Sequence, residues 1–203
     1  MNAIVGQGAL IAVAYGGGSL PWGYWAGRRA GVDIRTQGSG NTGATNVWRV
    51  LGRGYGIPVL LLDILKGFVP ALVATHVYGA GPAVLAGAAA VLGHTFPVLL
   101  GFGGGKGVAT TGGVVIALTP LLALPLALVL VALLWLWRYV SLASMITACL
   151  YPVACLATGQ PWPITAFGVV MAVGIVWRHR ANIGRLRAGT EARTRAFGRG
   201  ATR

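Results

Sequence analysis

Apolar residues gather in seven runs separated by short polar or glycine-rich connections: residues 4–26, 57–77, 83–99, 108–119, 121–137, 142–157 and 164–177. A helix needs about 20 apolar residues to cross the hydrocarbon core, and fewer where it is broken or lies over a cavity. The stretch 108–137 is too long for one crossing, and Pro120 and Pro125 predict a turn inside it. The fourth run is then unusually short. The pattern predicts an all-α integral membrane protein, a bundle of about seven transmembrane helices. A five-span version that merges or removes two runs keeps the same sidedness. Residues 1–192 read as one transmembrane domain, followed over 193–203 by an arginine-rich tail expected to be disordered and to touch lipid.

Composition agrees with a membrane interior. The chain is 56% hydrophobic and 9% charged, too little charge to cover a soluble domain. Its 33 glycines suit helices whose backbones approach closely in lipid. Sixteen Lys and Arg against three acids give +13, a balance that in a soluble protein points to nucleic acid. Their placement points elsewhere. Fifteen of the sixteen lie in connections following the first, third, fifth and seventh runs, and none lies in the connections between. Basic residues near span ends stay cytoplasmic, so the N-terminus is expected outside and the C-terminus in the cytoplasm. The expected partners are membrane lipid and anionic substrates, not nucleic acid.

Asp63 and Lys66 are the exceptions, falling about 9 and 13 Å into the second run at 1.5 Å per residue. Their i, i+3 spacing lets them neutralise each other, as a structural pair or with a direct role. Cys149 and Cys155 stand six apart on different helix faces, with no His or acid between them, so neither a metal site nor a disulfide is expected. No basic region or small-residue cleavage site precedes the first run, so no removed signal peptide is expected.

Polar chemistry concentrates in three of the basic connections. The first reads Gly38-Ser39-Gly40-Asn41-Thr42-Gly43-Ala44-Thr45-Asn46, followed by Arg49. Glycines let the backbone turn and present N–H groups, Ser, Asn and Thr add neutral donors, and a guanidinium matches phosphate geometry. A plain turn is the alternative. The second runs through His94 to Gly103-Gly104-Gly105-Lys106-Gly107 at the start of the fourth run. A glycine turn feeding a helix offers an anion the unpaired amides and the positive dipole end, and Lys106 adds full charge unless it only anchors topology. This is not a P-loop, because Leu100 and Gly107 stand where that motif needs Gly and Ser/Thr. The third is Arg178-His179-Arg180-Ala181-Asn182-Ile183-Gly184-Arg185. A continuing helix would put His179 and Asn182 on one face.

Several catalytic schemes fail. Acyltransferases with His-x4-Asp need an acid five positions after a His, where this chain has Gly81, Leu99 and Gly184. No Gly-x-Ser-x-Gly elbow occurs, and Asp33, Asp63 and Glu191 are too scattered for a carboxylate pair. What survives is a basic, glycine-lined set of neutral donors suited to phosphorylated substrates.

Residues 38–46 with Arg49, residues 93–110 with their Gly-Gly-Lys-Gly-Val-Ala-Thr, and residues 178–191 resemble the three cytoplasmic motifs of the bacterial acyl-phosphate-dependent glycerol-3-phosphate acyltransferases, the PlsY family. Asp63-x-x-Lys66-Gly67 and Tyr139-Val140-Ser141-Leu142-Ala143-Ser144 are also similar, so the likeness covers nearly the whole chain. One departure is Gly103, where the family usually carries a lysine, leaving Lys106 as the lysine of the loop. The resemblance implies an acyl-phosphate:glycerol-3-phosphate O-acyltransferase of the bacterial inner membrane. It would make lysophosphatidic acid and phosphate in the first acylation of phospholipid synthesis, without metal or cofactor, in contact with the soluble enzyme that makes acyl phosphate. It implies catalytic roles for Ser39, Lys106 and His179. Substrate contacts are implied for Asn41, Asn46, Arg49, Gly104, Gly105, Ser144 and Asn182. The proton of the acceptor hydroxyl goes either to His179 or to the departing phosphate, the latter preferred with His179 holding the acceptor. An anion or phosphate transporter is the alternative, since broken half-length helices also build substrate sites.

Overall fold

The computed structural model describes residues 3–194. In chain order the helices are α1 (Ala3–Gly18), α2 (Trp22–Arg29), α3 (Ala44–Leu51), α4 (Arg53–Tyr78), α5 (Ala80–Thr95), α6 (Val108–Leu118), α7 (Pro120–Trp137), α8 (Val140–Ala157), α9 (Trp162–Arg178) and α10 (Arg180–Arg187). Single 3₁₀ turns lie at Ile34–Thr36 and Val98–Leu100, and no strand occurs among the described residues. Five helical stretches are long and apolar enough to cross a membrane: Ala3–Arg29 taken through its break, Arg53–Tyr78, Ala80–Leu100, Pro120–Trp137 and Val140–Ala157. The runs at Val108–Leu118 and Trp162–Arg178 form shorter apolar helices. Every apolar run of the sequence is therefore helical, with the fourth the shortest at 11 residues.

The chain divides into two compact units at Pro120. In the first, α4 packs against α1, α5 and α6. Small residues make these crossings close, which matters where lipid supplies no hydrophobic drive and packing must hold helices together. A Cβ on Gly67 would strike the Thr110 backbone, and one on Gly113 the Ile64 backbone. Between α1 and α5, Gly18 and Gly93 play the same part, beside a core of Ala14, Ala74, Ala83, Ala86 and Ala90. The α1–α2 break falls at Ser19–Pro21, where Pro21 has no N–H to continue the ladder.

In the second unit α8 packs on α9, and Gly168 lies against Tyr151 and Pro152. The segment after α10 returns to the α7–α8 corner. There the Thr194 N–H donates to the Arg138 carbonyl (2.7 Å) and Arg138 Nε donates to the Thr194 carbonyl (3.3 Å). Arg193 Nε donates to the Tyr139 hydroxyl at 3.1 Å. The first two residues of the tail expected to be disordered are thus tied down, and 195–203 lie outside the described residues.

Two local expectations are corrected. The turn between the fourth and fifth runs is the single residue Thr119, and Pro125 lies inside α7 without ending it. Pro120 takes the first helical position, where its missing N–H costs nothing. Pro125 withholds a bond only from Leu121 in the first turn, a loss apolar helices tolerate. The seventh run also does not pass smoothly into α10: His179 sits between the two helices with φ −97° and ψ 9°.

Candidate active site

The first unit carries two polar loops and a buried charge cluster. The loop of residues 37–46 is organised by Asn46, which is 2% exposed. Its Nδ2 donates to the carbonyls of Asn41 (2.9 Å), Gln37 (3.0 Å) and Ile34 (3.2 Å), while Oδ1 accepts the Ser39 N–H at 2.8 Å. Gly38 (φ +59°) has no room for a Cβ beside Asn46 Oδ1, so only glycine fits the turn. Asn41 Oδ1 accepts the Gly43 N–H (2.9 Å), closing the turn that starts α3. At the loop's entry Asp33 accepts from the Arg35 side chain and backbone, and these bonds hold its carboxyl down at about 2. The result leaves Ser39 exposed, with Arg49 exposed on α3 and its guanidinium 3.5 Å from Asn46 Oδ1. Asn46, expected as a substrate contact, spends its amide on the loop and shapes the surface the others present.

The second loop closes on the end of α5. The Gly104 N–H donates to the Thr95 carbonyl (3.2 Å) and the Gly105 N–H to the His94 carbonyl (3.1 Å). A Cβ on Gly104 would meet His94 O, and one on Gly105 the His94 ring. Glycine is required here for close approach. Gly107 (φ +81°) caps α6, and Thr111 N–H donates to its carbonyl (2.8 Å). The amides a helix leaves without intrahelical partners are then those of Val108, Ala109 and Thr110. They, more than Gly104 and Gly105, carry the positive helix end, with half-buried Lys106 just ahead.

Beneath this loop Asp63 and Lys66 pair at 2.9 Å, as their spacing predicts, and His94 Nδ1 stands 3.5 Å from the same Asp63 oxygen. Lys66 Nζ also donates to the Leu20 carbonyl at the α1–α2 break (3.1 Å). The sequence reading finds the pair and misses His94, whose separation from Asp63 hides it from any helical period. A small polar cleft lined by Ser19, Thr42, Asp63, Lys66 and His94 opens at the break.

The second unit carries His179, Asn182 and Ser144, all buried. His179 Nδ1 lies 2.8 Å from the Ile175 carbonyl. A carbonyl can only accept, so Nδ1 bears a proton, the tautomer that leaves Nε2 as the acceptor when the ring is neutral. Asn182 Nδ2 donates to Glu191 Oε1 at 2.6 Å, the oxygen that also accepts the Ser141 hydroxyl at 2.7 Å. Arg185 Nε donates to Glu191 Oε2 at 2.7 Å. Burial raises the Glu191 carboxyl, but the bonds from Ser141, Asn182 and Arg185 outweigh it and hold the group below the usual carboxylate range. Glu191 is the residue the sequence reading undervalues, because Ser141 lies 50 positions away. Among the described residues no three of His, Cys, Asp and Glu lie together as a metal site would require.

The first unit thus offers a cation and a helix N-terminus to an anion, and the second an oriented imidazole and amide, hydrogen-bonding equipment for a hydroxylated phosphate. The comparisons point the same way. A family model described as glycerol-3-phosphate acyltransferase matches residues 8–189. A glycerol-3-phosphate acyltransferase of Geobacter sulfurreducens is 48% identical over 188 residues, 92% of this chain and 97% of that protein. One of Aquifex aeolicus is 46% identical over 187 residues, covering 91% of this chain and 97% of its own. The crystal structure of PlsY, an integral membrane glycerol 3-phosphate acyltransferase in its glycerol 3-phosphate form, superposes with a TM-score of 0.91 at 43% identity, over 93% of this chain and 96% of that one. Its lysophosphatidic acid form gives 0.87 over 93% and 95%.

Proposed function

We propose, from the premise that this chain belongs to the glycerol-3-phosphate acyltransferase family, that it is an integral membrane enzyme moving a fatty acyl group from acyl phosphate to the 1-hydroxyl of glycerol 3-phosphate. The products are lysophosphatidic acid and phosphate. The observation that supports this choice of donor is the glycine turn that sets Lys106 ahead of the α6 N-terminus, an arrangement suited to a phosphate. Acyl phosphate is an activated anhydride, so positioning and charge neutralisation can supply most of the catalysis. The acceptor oxygen attacks the acyl carbon, the bond from that carbon to the phosphate oxygen breaks, and the departing phosphate takes the hydroxyl proton. His179 Nε2, an acceptor by its tautomer, holds the hydroxyl beforehand, and Asn182, oriented by Glu191, assists. Arg49 faces a phosphate, Ser39 binds through its hydroxyl, and Ser144 and Asn41 are further contacts.

Purified protein given acyl phosphate and glycerol 3-phosphate is expected to make lysophosphatidic acid without added metal, nucleotide or CoA, and to carry no acyl group on Ser39 at any point of turnover. Turnover with acyl-CoA and none with acyl phosphate would sink the assignment. An acyl-Ser39 adduct found by mass spectrometry would sink direct transfer.

The same reading places seven crossings in a bacterial inner membrane, with the site on the cytoplasmic side. Its support is the fifteen basic residues confined to one set of connections. In a variant lacking Cys149 and Cys155, Gly81→Cys is expected to react with an impermeant thiol reagent on intact cells, and Gln37→Cys only after lysis. The reverse pattern means an inverted topology.

A further inference from the structure

The proposed chemistry leaves unused the buried charges of the first unit. Asp63 is 2% exposed and the Lys66 and His94 side chains 7%, inside a unit otherwise built from apolar helices. Burying an ion pair seldom stabilises a fold, because desolvation offsets the attraction and an apolar pair of similar volume does as well or better. Ionisable residues kept inside an apolar bundle are therefore a mark of function.

His94 is held between two neighbours. On one side Nδ1 faces the Asp63 carboxylate at 3.5 Å. On the other, the Nε2 edge of the ring lies so close to Gly105 that a Cβ there would collide with it. The Gly105 and Gly104 amides are tied to the carbonyls of His94 and Thr95. Lys66, on the same Asp63 oxygen, ties the carboxylate to the α1–α2 break through the Leu20 carbonyl. A continuous path of packed and bonded groups thus runs from α4 through the ring to the residue immediately before Lys106.

We propose that Asp63 and His94 are positioning residues for the turn that carries Lys106: the carboxylate fixes the imidazole, and the imidazole fixes where Gly105 lies. A misplacement of about 1 Å in such a support can cost about a hundredfold in rate, although neither residue touches substrate. The proposal rests on Lys106 as a phosphate-binding cation and adds the device that aims it.

The test is a coupling cycle on the full-length protein, with acyl phosphate and glycerol 3-phosphate as substrates and size-exclusion chromatography to score folded material. Lys106→Met is expected to lower kcat/KM at least about thirtyfold and His94→Gln at least about tenfold. If His94 acts through Lys106, the double variant loses no more than about threefold beyond Lys106→Met. The same factor for His94→Gln in both backgrounds overturns the positioning role and leaves the phosphate loop standing. Near-normal activity of Lys106→Met brings down the phosphate loop, and the proposal with it. Should His94→Gln fail to fold, two charge-free pairs decide. Asp63→Asn with Lys66→Met keeps an oxygen facing His94 Nδ1 and is expected within about threefold of wild type, whereas Asp63→Leu with Lys66→Met loses at least about tenfold. Equal activity of the two pairs overturns the proposal.

Discussion

Lys106→Met is expected to lower kcat/KM at least about thirtyfold, about 2 kcal/mol of transition-state stabilisation, in a protein that still inserts and solubilises. Position 103 is a glycine. With glycine there, Lys106 is the one lysine of the loop, so no neighbour of the same kind can take over. Gly107 then turns the chain into α6, whose first-turn amides add a partial positive charge beside the ammonium. Met keeps the length and the apolar stem, so the loss reports the charge. Arg49→Leu is expected to cost a similar factor, because its guanidinium stands over the loop that Asn46 builds. Arg138→Met serves as the contrast. That guanidinium is engaged with the Thr194 carbonyl, and its replacement is expected to leave kcat/KM within about threefold. Steady-state kinetics on the purified variants check all three, and full activity of Lys106→Met would make the lysine a topology anchor only.

Glu191→Leu is expected to destabilise the protein by about 3 kcal/mol, read as a fall in melting temperature of roughly 6–12 °C in detergent. The carboxylate, its side chain 6% exposed, accepts from the Ser141 hydroxyl of α8 and from the Asn182 amide and Arg185 guanidinium of α10, and so ties the two helices. Leucine leaves those donors without their acceptor, and buried donors left unpaired cost more than the bonds contributed. Activity falls as well, because Asn182 loses the partner that orients it. The pH dependence has a definite sign. Glu191 sits below its ordinary 4.5 in the folded state, so its contribution is complete above that pH and is lost as pH falls through the folded value. The gap in melting temperature between wild type and Glu191→Leu is therefore expected to be constant at neutral pH and to narrow as the pH falls below the ordinary 4.5. No gap at neutral pH, or one that widens on acidification, would contradict the role.

Much of the architecture is legible along the chain because hydropathy is a local property. All seven apolar runs are helical, the fourth is the short one, and Asp63 and Lys66 pair across one helical turn. The three polar segments were legible for a similar reason: glycine clusters next to Ser, Asn and Lys mark backbone that must bend while keeping donors. Pro125 does not end α7 because an apolar helix tolerates an interior proline where neighbouring groups and local adjustments satisfy the freed backbone.

What lay outside the sequence was the assignment of hydrogen-bond partners. Ser39 and Asn46 look equivalent in a polar loop, yet folding buries Asn46 to hold the backbone and leaves Ser39 exposed. Gly104 and Gly105 look like phosphate-binding amides, yet the end of α5 takes both. Glu191 closes the third motif with no role legible in the sequence, yet it holds Ser141, Asn182 and Arg185 together. The sequence by itself determined which segments enter the apolar phase and which carry polar chemistry, because burial of a run follows from its own composition. Only the tertiary structure decided which polar groups are spent on the protein. A buried donor must find an acceptor wherever the packed helices place one, and for Ser141 that acceptor is 50 residues away.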